Sequence, residues 1–368
     1  MIESIIRAFD TNLKISTNYT IRSNIAVGIA SQTDTKIWCV VCSNNTTGTY
    51  GILHSYDGIN WFANTQKNAF FKSYSFGQPI FLIYNPNAKD FTLFNIGNSA
   101  KNVFKSINGI DWFLYGTVSN SSDYFVNSTT IIKYINNRFI MIGHMYATDE
   151  SYIYYYTSTD GRTWIKQMFP YFSQFGLKSL PINCYKILHR GIESWIFLQG
   201  FIYYSNDDGL NYKIYYNSLL YNSNYNVLLL DNNIIVNNIY VDANNTNEII
   251  IIPLNDLSTY TRANINISSD IVSKTGGINN YATLSSHNNK VYMFNNNYST
   301  EDGFFYSCDK NNLSQWSLDE TKPYTNHLSQ YDNYYDSEFF GSELYLISTN
   351  KLYMLQNNTF NQLNIYEL

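Results

Sequence analysis

The chain has 368 residues, 45% hydrophobic, 17% aromatic and only 14% charged, with a formal net charge of −5. Lysine and arginine are scattered, so the basic stripe of a nucleic-acid binder is missing, and the longest apolar runs, such as Glu248–Pro253, are too short to span a membrane. The Tyr, Phe and Ile load favours strands and the Asn, Asp and Gly load favours turns, which points to one large all-β domain.

Residues 1–20 lie outside the repeat that fills the rest of the chain. Charges at Glu3, Arg7 and Asp10 interrupt the apolar core that a secretory signal needs, so no signal peptide is expected and synthesis is assigned to the cytoplasm. Ile2, Ile5, Ile6, Phe9 and Leu13 recur at helical spacing and predict a short amphipathic helix. Such a helix would either dock on a partner protein or pack on its own domain, with Leu13–Ser16 adding a strand.

Residues 21–368 read as seven units of about 50 residues each. In the first, Lys36–Cys42 has the pattern of a strand. Cys39 and Cys42, three apart, then fall on opposite faces, so they are read with Cys184 and Cys308 as buried apolar residues rather than a redox or metal pair. The unit carries the turn Ser55-Tyr-Asp57-Gly58-Ile-Asn-Trp61. The same template returns at Ser106, Asn108, Gly109 and Trp112, and again at Ser158, Asp160, Gly161 and Trp164. A fourth copy, with one inserted residue, is read on Asp208, Gly209 and Tyr212. Spacing places a fifth at Asn255–Tyr260, a worn sixth on Ser307, Asp309 and Trp316, and a seventh at Leu355–Phe360.

The third unit shows the internal grammar: Ile131–Ile135, Arg138–Gly143, Tyr152–Ser158 and Thr163–Gln167 are four short strands, A to D, joined by polar turns. Four-stranded antiparallel units at this period, each covering its neighbours, predict a seven-bladed β-propeller over residues 21–368. In the turn between C and D, glycine supplies a conformation that other residues resist. The Asp or Asn bonds nearby backbone N–H groups, and the aromatic residue opens strand D and packs between blades.

These turns resemble the bacterial neuraminidase repeat, or Asp-box, of sialidase-like propellers. The resemblance implies that the turns are architectural and sit at the blade periphery, away from any ligand. It also raises sialidase activity, which in that family uses three arginines to clamp a carboxylate. Of the six arginines here, Arg138 and Arg190 fall at A–B turns, Arg162 falls in a C–D turn, and Arg22 lacks the family's Arg-Ile-Pro context. Xyloglucanases of similar blade architecture need two such domains with paired carboxylates across a cleft. Asp123, Asp242, Glu301, Asp302 and Asp336 stand in no motif, and the five histidines show no metal or triad spacing. The expectation is therefore a protein without catalytic residues, cofactor or metal.

The D-to-A and B-to-C connections share the face opposite the turns. Their aromatics include Phe71, Tyr74 and Phe76, then Tyr171 and Phe172, then Tyr215, Tyr216 and Tyr221, and finally Tyr331, Tyr334 and Tyr335. Rings beside amides and hydroxyls suit sugars, whose C–H faces stack while their hydroxyls bond. The compact turn and the Asn- and Tyr-rich blades resemble the propellers of bacteriophage virion appendages. That likeness implies a tail or fibre component in the virion, binding a host cell-surface glycan or other virion proteins, the latter through residues 1–20. A glycan-cleaving enzyme and a purely structural adaptor are the alternatives.

Overall fold

The computed structural model describes residues 19–31, 33–77, 80–96, 101–118, 131–142, 154–168, 184–198, 200–217, 220, 226–237, 247–265, 283–297, 302–318, 334–340, 343–348, 352–356 and 359–367. The predicted N-terminal helix lies outside them. The first sheet, I, contains β1 (Tyr19–Ile21), β2 (Ala26–Ile29), β3 (Lys36–Asn44), β4 (Tyr50–Ser55) and β5 (Asn60–Ala63). Both β1 and β2 pair with β3, so its first strand is one strand interrupted at Arg22–Ile25.

Six four-stranded sheets follow, each in sequential order. Sheet II holds β6 (Ile80–Asn85), β7 (Asp90–Asn95), β8 (Asn102–Ser106) and β9 (Phe113–Thr117). Sheet III holds β10 (Ile131–Ile135), β11 (Arg138–Ile142), β12 (Tyr154–Ser158) and β13 (Ile165–Met168). Sheet IV holds β14 (Cys184–Arg190), β15 (Glu193–Leu198), β16 (Phe201–Ser205) and β17 (Lys213–Tyr216). Sheet V holds β18 (Asn226–Leu229), β19 (Asn233–Asn237), β20 (Asn247–Pro253) and β21 (Thr261–Ile265). Sheet VI holds β22 (Thr283–His287), β23 (Lys290–Asn297), β24 (Asp302–Asp309) and β25 (Ser317–Leu318). Sheet VII holds β26 (Tyr334–Phe340), β27 (Glu343–Ser348), β28 (Leu352–Gln356) and β29 (Thr359–Gln362). A last strand, β30 (Asn364–Glu367), returns to pair in parallel with β5. The first strands touch in succession from β2 and β6 through to β22 and β26. The molecule is thus all-β, with antiparallel sheets arranged consistently with a β-propeller.

Sheets I to V show apolar residues on both faces, because each face must be covered by a neighbour. Ile37, Cys39 and Val41 of sheet I meet Leu82, Leu93 and Phe104 of sheet II. Phe94 and Val103 of sheet II meet Ile132, Phe139 and Trp164 of sheet III. Ile140 and Tyr155 then meet Ile196, Tyr203 and Tyr212. The fourth and fifth sheets share Trp195, Phe197, Ile234 and Ile250, and the fifth and sixth share Ile235, Ile249, Met293 and Trp316. Cys39 belongs to the cluster facing sheet II and Cys42 to the one on the opposite face, as strand alternation requires. Each fully buried large side chain contributes about 1.5–3 kcal/mol relative to exposure.

The turns are part of these seams. A Cβ on Gly109, whose φ is +74°, would lie 2.6 Å from Cys39 Sγ on the preceding sheet. One on Gly161 would meet Phe94 at 3.1 Å, while one on Gly209 would meet Tyr212 Oη of its own turn at 2.8 Å, with Ile140 of the preceding sheet in ordinary contact at 3.7 Å. Cys39 and Ile140 occupy the same register position, opposite the residue before the turn serine. Sheet II has Thr92 there, and the larger Phe94 covers the turn instead. Gly109→Ala is therefore expected to destabilise by about 3 kcal/mol or more, combining left-handed strain with overpacking. Gly48→Ala, with φ +67° but nothing within 4 Å, should cost only about 1 kcal/mol. Thermal unfolding of both variants checks the difference.

Candidate functional site

The three clean turns share one hydrogen-bond scheme. The serine Oγ accepts from the glycine N–H at 2.8 Å in each, at Ser55, Ser106 and Ser158. The same hydroxyl donates to the side chain of Asp57, Asn108 or Asp160. One oxygen of that side chain then accepts two successive backbone N–H groups, from Ile59 and Asn60, Ile110 and Asp111, or Arg162 and Thr163. The indole N–H of Trp61, Trp112 or Trp164 donates to the carbonyl of the turn glycine. Serine, acid and indole together satisfy groups that a tight buried turn would otherwise leave unpaired.

In the fourth turn the structure corrects the expected residue. Asp207, not Asp208, receives the Ser205 hydroxyl, at 2.6 Å, and the Leu210 and Asn211 N–H groups. Asp208 is the inserted residue, with φ +62°. Its carbonyl accepts from the Arg138 guanidinium of sheet III. Gly209 still donates to Ser205 Oγ, at 2.9 Å. Tyr212 has no N–H to reach the Gly209 carbonyl; Tyr155, from the preceding sheet, donates its hydroxyl there at 3.4 Å and meets the Tyr212 ring edge-on. In the sixth turn Asp309 accepts from the Asn311 N–H, and Trp316 donates to the carbonyl of Leu313 where the clean turns have glycine. In the fifth, Asp256 accepts from the Ser258 N–H and hydroxyl.

Burial raises the Asp57 and Asp160 carboxyls, but the bonds they accept outweigh it and hold both below the ordinary range. Asp207, bonded first by Ser205 and then by Asn211, is pushed down to about 2. Folded values below the unfolded one mean that this stability is complete above about pH 4 and is lost as pH falls through the folded values. Replacing all three acids with Asn, as nature does at Asn108, should flatten the acid limb of the stability curve. Asp160→Ala, which hands two exposed backbone N–H groups to water, is expected to destabilise by about 0.5–1.5 kcal/mol where Asp160→Asn keeps most of the stability. For the fourth turn, Tyr155→Phe should destabilise by about 1 kcal/mol, and adding Tyr212→Trp should restore part of the loss in chemical denaturation.

The aromatic connections divide differently from the expectation. After β5 the chain forms a short helix, α1 (Thr65–Asn68), capped by Asn64, and then a 3-10 turn at Ala69–Ser73. The Asn68 side chain bonds both the N–H and the C=O of Ile52, standing in for a strand where β5 stops. This folds Phe71 into the seam between sheets I and II, 2% exposed. Phe76 lies parallel to Tyr50 at 4.7 Å and to Phe104 at 5.7 Å, and Tyr74 meets Phe104 edge-on at 4.9 Å. Phe71 is thus core, and the rings of Tyr74 and Phe76 are already engaged with protein. Tyr215 and Tyr216 belong to β17 rather than a connection: Tyr215 is half-buried at the next seam, and Tyr216 leans on Phe201 while 37% exposed. Tyr334 and Tyr335 open β26, the first strand of sheet VII. Tyr171, Phe172, Tyr221 and Tyr331 lie outside the described residues.

Arg138, Arg162 and Arg190 tie neighbouring sheets together on the turn side. Arg190 reaches from sheet IV to the Asp231 carbonyl at 2.6 Å, and Arg162 covers the Tyr115 ring of sheet II at 5.2 Å. Arg22 Nε bonds Ser43 within sheet I at 2.9 Å. His54 is buried, and burial pushes it down to about 4, so it is neutral at pH 7. Among the described residues, no group of three or more His, Cys, Asp or Glu side chains is placed to hold a metal. No described helix is long and apolar enough to cross a membrane.

No protein-family profile matches the chain, and no curated protein does. Among solved structures it is similar to an ancestral GH74 enzyme, at 12% identity and TM-score 0.57, over 96% of this chain and 47% of that one. It is also similar to the extracellular domain of BT4673 from B. thetaiotaomicron, at 12% identity and TM-score 0.53, over 95% of this chain and 43% of that one. The chain spans less than half the length of either. At such identity the likeness is one of fold. It nevertheless corrects the expectation of a non-enzyme. The fold is shared with a glycoside hydrolase, so a missing sialidase arginine set says nothing against glycan cleavage by other residues.

Proposed function

We propose that this chain is a seven-bladed propeller that acts on glycans, holding a polysaccharide at the face opposite the turns and serving its cleavage. The observation that carries this is the likeness of fold to the ancestral GH74 enzyme over 96% of the chain. Seven sheets in sequential contact support the blade number, and the shared turn bonding supports the likeness to the Asp-box. Placement on a virion appendage, meeting a host-surface glycan and docking on other virion proteins through residues 1–20, is a finer part of the same proposal. It is checked by looking for the chain in purified particles. The direct experiment incubates the protein with a panel of neutral and acidic polysaccharides, measuring retention on each and the release of reducing ends. Retention with new reducing ends is the expected result; no retention on any member would sink the reading.

A further inference from the structure

The second turn reverses a pairing found in the first, third and fourth. In the first, Asp57 accepts from the side-chain amide of Asn60 at 2.8 Å. In the third, Asp160 accepts from the Thr163 hydroxyl at 3.3 Å, and in the fourth Asp207 accepts from the Asn211 amide at 2.7 Å. In the second, the amide is on Asn108 and the carboxylate on Asp111, 2.9 Å apart. Lys67, and then this amide, hold the Asp111 carboxyl below the ordinary carboxylate range. A carboxylate at position 108 would face a second carboxylate there, which gives asparagine a physical reason to stand in this turn alone among the four. The exchange sets asparagine directly before glycine, the only Asn-Gly step in the sequence. With no Cβ on the glycine, its backbone nitrogen is unhindered toward the asparagine side chain.

We propose that Asn108–Gly109 is a deamidation site that the folded turn suppresses and that reacts once the turn unfolds, giving a product that cannot rebuild the turn against sheet I. In the reaction, Gly109 N attacks Asn108 Cγ. A C–N bond forms, the Cγ–Nδ2 bond breaks, and ammonia leaves with the Gly109 proton. Water then opens the succinimide at either carbonyl, leaving aspartate or isoaspartate. In the folded turn the buried Gly109 N–H instead donates to Ser106 Oγ at 2.8 Å, and Asn108 Oδ1 is held by the N–H groups of Ile110 and Asp111. Aspartate at 108 would lose the amide bond and confront Asp111. Isoaspartate would add a methylene to the main chain beside Gly109, where Cys39 and Ile37 of sheet I leave no room even for a Cβ. The proposal does not depend on the glycan reading.

Peptide mapping by mass spectrometry tests it, with the full chain kept folded or held in urea at the same mildly alkaline pH. Conversion at Asn108 should be at least tenfold slower in the folded protein, and in urea Asn108 should convert ahead of every other asparagine. Ser106→Ala releases the Gly109 N–H and should speed conversion in the folded protein at least threefold. Asn108→Asp, which is the aspartate product, should raise the unfolding equilibrium constant at least threefold, and adding Asp111→Asn should recover most of that. If Ser106→Ala does not fold, the folded and unfolded parent chain decide the suppression without it. Equal conversion in the two states, or Asn108→Asp as stable as the parent, overturns the proposal.

Discussion

A four-stranded sheet with two apolar faces cannot stand alone in water, and that constraint organises this molecule. Each face must be covered by a neighbour, so sheets are useful only in an unbroken series. The turn between the third and fourth strands is where the series is locked. Its glycine has no Cβ, and that lets the turn press onto the second strand of the sheet before it. The serine bonds the buried glycine N–H, and the Asp or Asn bonds the more exposed N–H groups that follow it. Turn chemistry and inter-sheet packing are thus one feature, and the same residues serve both.

The seams differ in character on the turn side. One position before the strand-B residue that faces the turn serine, sheet I has Ile37, while the next three sheets have Asp90, Arg138 and Glu193. Each charge is compensated differently. Asp90 pairs with Lys105 at 2.8 Å, both largely buried. Arg138 bonds the Asp208 carbonyl of the next sheet, and Glu193 accepts from Tyr204 at 2.7 Å and from Arg190. Removing one partner of the buried Asp90–Lys105 pair leaves the other uncompensated, which is costlier than losing the more exposed Arg190–Glu193 pair. Polar contacts thereby distinguish the middle sheets from one another, where apolar burial alone treats them alike.

Function follows a different logic from fold here. The likeness to solved structures is one of fold, while the side chains described at the loop face are mostly engaged in packing. Phe71 and Phe76 illustrate why aromatic content misleads: in a connection that must cover a sheet edge, rings are first recruited to the core. The turn side, by contrast, carries many internal hydrogen bonds and inter-sheet contacts.

The repeat itself was legible in the sequence, because the Ser-x-Asp-Gly spacing and the strand alternation are local properties. They set the sheets, the turns between strands C and D, and the opposite facing of Cys39 and Cys42. Local pattern could not choose between Asp207 and Asp208, since an inserted residue moves the backbone and only the folded turn decides which carboxylate reaches Ser205. Nor could it show that Tyr155 supplies the bond that Tyr212 lacks, a contact between residues from different sheets. The placement of Tyr215 in a strand and of Phe71 in a seam likewise depended on what stood across from them. The return of β30 to sheet I was equally invisible, because a strand's partner several hundred residues away leaves no periodic mark. What the residues do to their chain neighbours was written in the sequence; what they do to residues brought near by the packing of the sheets, only the tertiary structure decided.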